Sequence, residues 1–268
     1  MRRFLCLGAF TLLTAALAAL PTAGAADPAK PIKVLIITGD NIDAHDWKGT
    51  TQVFQDFLPQ PGKVDVTVTT TPAKDLTDEN LAKYDVLLLN YKDTPKGAED
   101  TKWSDANKKA FLKAIKDDGK GLYVHHYASA AFTNPNWAEF EKAIAGGWRT
   151  QGYHGPKHEF TVKKTAVKHP ISEGLPADFD HAIDELYSAS MRTRGSLVLA
   201  TAYADASKPQ GTGIDEAVIW VNQYGKGRVV ENGLGHDTKA MADKNYQTWV
   251  RRAIEWAATG QVASGSEK

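Results

Sequence analysis

Ile32-Lys33-Val34-Leu35-Ile36-Ile37-Thr38-Gly39-Asp40 is the stretch on which the fold turns. Apart from Lys33, residues 32–37 are apolar and mostly β-branched, and Gly39-Asp40 closes the run. A run this short, apolar at successive positions, fits a strand buried on both faces, as parallel strands are. Downstream, residues 47–58 read as a helix, closed by Pro59 and Pro61-Gly62. Val64-Asp65-Val66-Thr67-Val68-Thr69 alternates as a second strand, 77–83 is a short helix, and 85–89 is a third strand. Ser104 suits an N-cap. The helix behind it carries Ala110, Phe111, Ala114 and Ile115 as its apolar stripe, and Gly119 fits the position just past its end. Gly121-Leu122-Tyr123-Val124 is a fourth strand, followed by His125-His126.

Asn134-Pro135 reads as the start of a further helix. Trp137, Phe140 and Ile144 would face inward, and Gly146-Gly147 would end it. Residues 148–191 look rich in loops, with one strand near 159–163; His169 and His181 read as surface loop residues. Strands are expected at 197–203, 217–222 and 227–231, the last two joined by a hairpin turn at 223–226. Residues 245–259 form a terminal amphipathic helix, Gly260 stops it, and 261–268 read as a disordered tail. Strand–helix alternation predicts an α/β fold: a doubly wound, mostly parallel sheet with helices on both faces.

Upstream, Arg2-Arg3, an apolar run from 4 to 20 and small residues at 23–26 have the layout of a secretory signal, residues 1–25. The expectation is an exported, periplasmic or secreted protein with no membrane attachment after cleavage. The sole cysteine, Cys6, lies in that segment, so the remaining chain offers neither a disulfide nor a thiolate nucleophile. Removing 25 of 268 residues leaves 243, enough for one large domain. Removing Arg2 and Arg3 leaves 30 basic against 32 acidic residues, which speaks against long-range attraction to nucleic acid. The sequence leaves a homo-oligomer open.

In parallel α/β sheets, ligands bind outside the carboxyl ends of the strands. Those ends carry Asp40, then His45-Asp46-Trp47; Tyr91; His125-His126-Tyr127; and Leu234-Gly235-His236-Asp237. His154, His158 and Asp184-Glu185-Leu186-Tyr187 lie in the middle loops. Imidazole works as acid or base near neutrality and is the commonest metal ligand. His126, His154 and His236 are therefore the candidate catalytic and metal-binding histidines, with Glu185 as a candidate base. His125 reads as packed, and His45 serves equally well as a helix cap or a site residue. Asp40, His45, Trp47, Tyr91, Tyr127, Trp148 and Asp237 are candidate substrate-binding residues. Trp47, Tyr91, Tyr127 and Trp148 offer apolar faces for a sugar ring or for the core. No Gly-x-Ser-x-Gly elbow, phosphate-cradling glycine loop or His-Glu-x-x-His pair occurs, so no nucleotide cofactor is expected.

Gly119-Lys120-Gly121-Leu122-Tyr123-Val124-His125-His126-Tyr127-Ala128-Ser129, Gly146-Gly147-Trp148 with Gly152-Tyr153-His154, His169-Pro170-Ile171, Asp184-Glu185-Leu186-Tyr187, Tyr224-Gly225-Lys226-Gly227-Arg228-Val229, Leu234-Gly235-His236-Asp237 and Ile254-Glu255-Trp256-Ala257 fall in a telling order. Together they resemble the ThuA-like (trehalose utilisation) family of the class I glutamine amidotransferase-like superfamily. The resemblance covers residues 26–260 as one domain and implies a flavodoxin-like sheet. In the amidotransferases a cysteine sits on the sharp turn after the fourth strand, and the matching position here is His126. Imidazole does not replace a thiolate as acyl-accepting nucleophile, so glutamine hydrolysis is not expected. The family name points to carbohydrate use, by way of keto-sugars. The implied function is an enzyme, hydrolase or lyase, acting on a keto-glycoside with His/carboxylate chemistry, helped by zinc or another divalent metal. The alternative is a sugar-binding or scaffold protein that kept the fold and lost the chemistry. Hydrolysis of another substrate, such as an amide, by metal-bound water is a further option.

Overall fold

The computed structural model describes residues 30–40 and 44–263; the expected signal segment and the end of the expected tail lie outside them. Strands β1 (Ile32–Ile37), β2 (Val64–Thr69), β3 (Val86–Leu89) and β4 (Gly121–His125) fall where the apolar runs predict. They alternate with helix α1 (Trp47–Phe57), the short helices α2 (Pro72–Asp75) and α3 (Asp78–Leu81), and α4 (Asp105–Lys116). Asp46 caps α1 through Gly49 N. Ser104 and Asn107 form a reciprocal capping box on α4.

Asn134-Pro135 departs from expectation. Its peptide bond is cis, and α5 (Ala138–Ile144) starts only after it, with Trp137 at the N-cap position. Beyond α5 come the short strands β5 (Gly146–Gly147) and β6 (Tyr153–His154), then β7 (His158–Lys164) and β8 (Asp178–Asp184). β9 (Tyr187–Ser188) pairs with β6, and β10 (Met191–Arg192) pairs with β5. β11 (Leu197–Tyr203), β12 (Asp215–Tyr224) and β13 (Gly227–Asn232) follow, then α6 (Thr238–Met241) and α7 (Lys244–Thr259).

Nine strands form one mixed sheet in the order β2-β1-β3-β4-β13-β12-β11-β7-β8. β2, β1, β3, β4 and β13 run parallel; β12, β11, β7 and β8 extend the sheet antiparallel. In β1, β3, β4 and β13 odd and even positions are both buried, whereas β2, at the sheet edge, alternates between half-buried and exposed. Val34, Ile36, Val86, Leu88, Tyr123 and Val230 pack with Phe54 of α1 and with Trp249, Val250 and Ile254 of α7. Leu35, Ile37, Leu87, Leu89, Leu122, Val124 and Val229 pack on the other face with Phe111 and Ile115 of α4 and Phe140 of α5. Each such side chain, fully buried, contributes about 1.5–3 kcal/mol of transfer free energy. This two-faced burial explains why β1, β3 and β4 read as continuous apolar runs rather than alternating ones.

The middle of the chain holds more strand than its sequence indicates. β8 was not expected, and it makes one edge of the sheet. His181 is not a surface loop residue: it is buried on β8 and paired with Asp184 at 2.8 Å. His169 is likewise buried, its ring 4.6 Å from that of Trp256. Among the described residues, no helix is long and apolar enough to cross a membrane.

Candidate active site

β4 ends in His125, and the next residue opens a tight turn, 126–130. His126 there has φ +40°, a left-handed conformation that costs a non-glycine residue of order 1–3 kcal/mol. The surroundings hold it. Its Nδ1 lies 2.7 Å from the carbonyl oxygen of Gly233, just past β13. A carbonyl only accepts, so Nδ1 carries the proton and Nε2 keeps its lone pair. Nε2 accepts from the Tyr187 hydroxyl at 2.8 Å. His125 points the other way, into the core, against Tyr246 and Phe54.

Asp184 ends β8 with no exposed surface and accepts four hydrogen bonds. Oδ2 takes the Gly235 amide (2.7 Å) and His181 Nε2 (2.8 Å); Oδ1 takes the amides of Glu185 (2.8 Å) and His236 (3.0 Å). One carboxylate thus ties the end of β8 to the loop after β13. Gly235 permits this with φ +99°; a Cβ there would fall 2.7 Å from the His125 ring.

The same tie brings Glu185 and His236 face to face. Glu185 Oε1 lies 3.1 Å from His236 Nδ1 and 3.5 Å from His154 Nε2, while Oε2 lies 3.4 Å from His126 Nε2. Burial works against the Glu185 charge. The neighbouring imidazoles of His126 and His236 prevail and hold its carboxyl well below the usual carboxylate range. His45 closes the cluster, with ring centroids 5.4 Å from His126 and 4.8 Å from His236. Burial, then the neighbouring imidazoles His126 and His236, push its pKa down to about 3, so it is neutral at physiological pH.

His45, His126, Glu185 and His236 offer ligand atoms within 4.8 Å of one another. Three imidazoles and a carboxylate suit zinc or a similar first-row ion. The expected trio of His126, His154 and His236 differs from this set: His154 stands outside it, and His45 and Glu185 take part.

A cavity of about 650 Å³ opens beside the cluster. His45, Glu185, His154, Tyr127, Trp148 and Tyr187 line one part, and Lys92, Arg149, Thr133, Asn134 and Thr150 line the rest. His126 and His236 stand behind His45 and Glu185. Trp148 and Tyr187 meet edge to face at 4.5 Å and form an aromatic wall. His154 Nδ1 lies 2.7 Å from the Gly155 carbonyl, so Nδ1 carries the proton and the Nε2 lone pair faces Glu185 and the cavity. Burial, with help from Glu185 and Asp184, raises the Tyr187 hydroxyl well above the ordinary range, so it keeps its proton.

Of the candidate residues, the structure gathers His126, His154, Glu185, His236, His45, Tyr127 and Trp148. It does not bring the other four to the cavity. Asp40 is buried and anchors Thr94 through the amide (3.0 Å) and hydroxyl (2.9 Å). Trp47 is the first residue of α1, with Lys48 over its ring. Tyr91 packs on Trp103 and Phe132 in the core, its hydroxyl on the Thr101 carbonyl. Asp237 caps α6 and pairs with Lys157 at 3.0 Å. Sequence reasoning passed over Tyr187, Asp184, Lys92 and Arg149. The first two sit in the Asp184-Glu185-Leu186-Tyr187 segment, whose position beside the rim shows only once β8 is placed.

A mixed sheet whose parallel half ends in a strained turn after β4, carrying the central site residue, defines the class: α/β proteins of flavodoxin-like architecture. The family profile described as ThuA, trehalose utilisation, matches residues 33–257, and the chain belongs to that family. No curated protein sequence matches it. A solved ThuA-like protein from Parabacteroides merdae is 29% identical, with a TM-score of 0.75 over 88% of this chain and 92% of that one. A ThuA-like protein from Bacteroides uniformis is 21% identical, with a TM-score of 0.67 over 89% and 95%. A cytoplasmic protein from Salmonella typhimurium, 14% identical at a TM-score of 0.58 over 85% and 100%, shares the fold.

Proposed function

We propose that the protein is an exported enzyme of carbohydrate metabolism that cleaves or converts a keto-glycoside by His/carboxylate acid–base chemistry. The observation that carries this reading is the Glu185 carboxylate, set within 3.5 Å of three imidazoles at the wall of a cavity that also presents Trp148 and Tyr187. Aromatic faces take the apolar side of a sugar ring, and the trehalose-utilisation family supplies the substrate class.

The chemistry follows from the ketone. A C–H beside a ketone is acidic, and His154 Nε2, facing the cavity, is the base that takes its proton. The electron pair moves into the enolate and then expels the glycosidic oxygen, which takes up a proton as it leaves. Glu185 orients His154 and balances the charge it gains. The His/Glu cluster alongside supplies ligands of the kind that hold a Lewis-acid metal.

The test uses keto-disaccharides made by oxidising trehalose and related glucosides, with release of free sugar as the readout. Wild-type protein should release sugar. His154→Ala should lower kcat by about 100-fold or more, with sugar affinity changed only a few-fold. Tight binding without turnover would make the protein a sugar-binding module, and absence of both would end the carbohydrate reading. Export belongs to the same proposal. N-terminal sequencing of protein recovered outside the cytoplasm should begin near residue 26.

A further inference from the structure

We infer that a divalent first-row transition ion of the zinc class binds His45, His126, Glu185 and His236, and that the Tyr187 hydroxyl occupies the His126 ligand position until the ion arrives. On binding, Tyr187 gives up Nε2 and turns its O–H into the cavity, as the hydrogen-bond donor to a ligand oxygen held there. The inference rests on the cavity being the working site, as proposed above.

The lone-pair count at His126 carries the first step. Its Nδ1 proton is committed to the Gly233 carbonyl at 2.7 Å, so Nε2 has a single lone pair. That lone pair now accepts the Tyr187 hydroxyl at 2.8 Å, and Glu185 Oε2 lies 3.4 Å away. The lone pair cannot serve a proton donor and a metal together. An ion drawn in by Glu185, His45 and His236 must take it from Tyr187.

The second step follows from what holds Tyr187. Its ring packs against His126 at 4.3 Å and Trp148 at 4.5 Å, and its backbone pairs with His154 in the β6–β9 ribbon. The ring therefore keeps its slot, and tips only enough to carry its hydroxyl oxygen off the Nε2 axis. Tyr187 lines the cavity, so the free donor points where a ligand oxygen sits. His154 keeps a separate task. Its Nε2 is 3.5 Å from Glu185, yet it is not among the four converging ligand atoms. The cluster thus divides into a metal set, a base at the cavity and a hydroxyl donor that the metal releases.

Zinc titration of chelator-stripped, full-length protein against a chromophoric competitor, with no sugar present, tests this. Wild type should bind one zinc per chain. His236→Ala should weaken binding by about 100-fold or more, whereas His154→Ala should change it less than about threefold. Tyr187→Phe keeps the ring and removes only the competing donor. Since a net hydrogen bond is worth a small factor, it should tighten zinc by about two- to tenfold. It should also abolish a tyrosine ultraviolet difference band that zinc produces in wild type. Circular dichroism checks that each variant folds. No zinc uptake by folded wild type, equal losses in His154→Ala and His236→Ala, or unchanged or weaker zinc in Tyr187→Phe would overturn the inference. Zinc binding as described, without turnover of any keto-glycoside, would count against the carbohydrate reading and leave this one standing.

Discussion

At the scale of single residues, Asp184 decides the geometry. Its four hydrogen bonds fix the amides of Glu185, Gly235 and His236 and the His181 ring. Asp184→Asn keeps the shape but turns an NH₂ group toward donors, which leaves buried N–H groups unpaired. The expected loss is about 2–4 kcal/mol of unfolding free energy, measured by urea denaturation. Turnover of the folded fraction should fall further than KM rises, because Glu185 and His236 lose their common anchor. Full stability with normal kinetics would show that the anchor is unnecessary.

At the scale of elements, the loop between β7 and β8 is pinned to α7. Arg252 donates to the carbonyls of Ile171 (2.6 Å), Pro170 (2.8 Å) and Glu173 (2.6 Å), while His169 packs on Trp256. Burial lowers the His169 pKa to about 4 from an unfolded value of about 6.5. The unfolded chain therefore binds more protons between these values. The stability His169 contributes is complete above about pH 6.5 and is lost as pH falls through about 4. NMR titration of the His169 ring should give a midpoint near 4, and His169→Gln should flatten the acid limb of the stability profile. A midpoint near 6.5 would mean the ring is solvated. The sequence placed this histidine on the surface because His-Pro is common in loops. Its burial comes from a helix about 80 residues downstream.

At the scale of the whole molecule, the two core faces meet through the sheet, and their spacing is set at few points. Gly121 opens β4 where α7 crosses it. A Cβ there would come within 2.7 Å of the Ala257 backbone. Gly121→Ala should push α7 off the sheet and cost about 1–3 kcal/mol in thermal or urea unfolding. It should also disturb the site at a distance, because β4 delivers His126 and α7 packs against His125 through Tyr246. An unchanged melting temperature would contradict this spacing argument.

Strands β1, β3 and β4 were readable residue by residue, because burial on both faces leaves a local signature: short apolar runs ended by Gly, Asp, Asn or His. The capping of α4 at Ser104 and the stop at Gly260 were legible for the same reason, since caps are satisfied within one turn of chain. Histidines at the strand ends could be named as a candidate site, as could the turn at His126. Nothing local announced β8, the burial of His169 and His181, or the choice of His45 over His154 in the converging ligand set. Those depend on contacts between residues far apart in the chain, such as Asp184 with Gly235 and His126 with Gly233. Strand and cap chemistry is short-ranged and written in neighbouring residues, whereas a shared lone pair or carboxylate exists only after distant segments have packed.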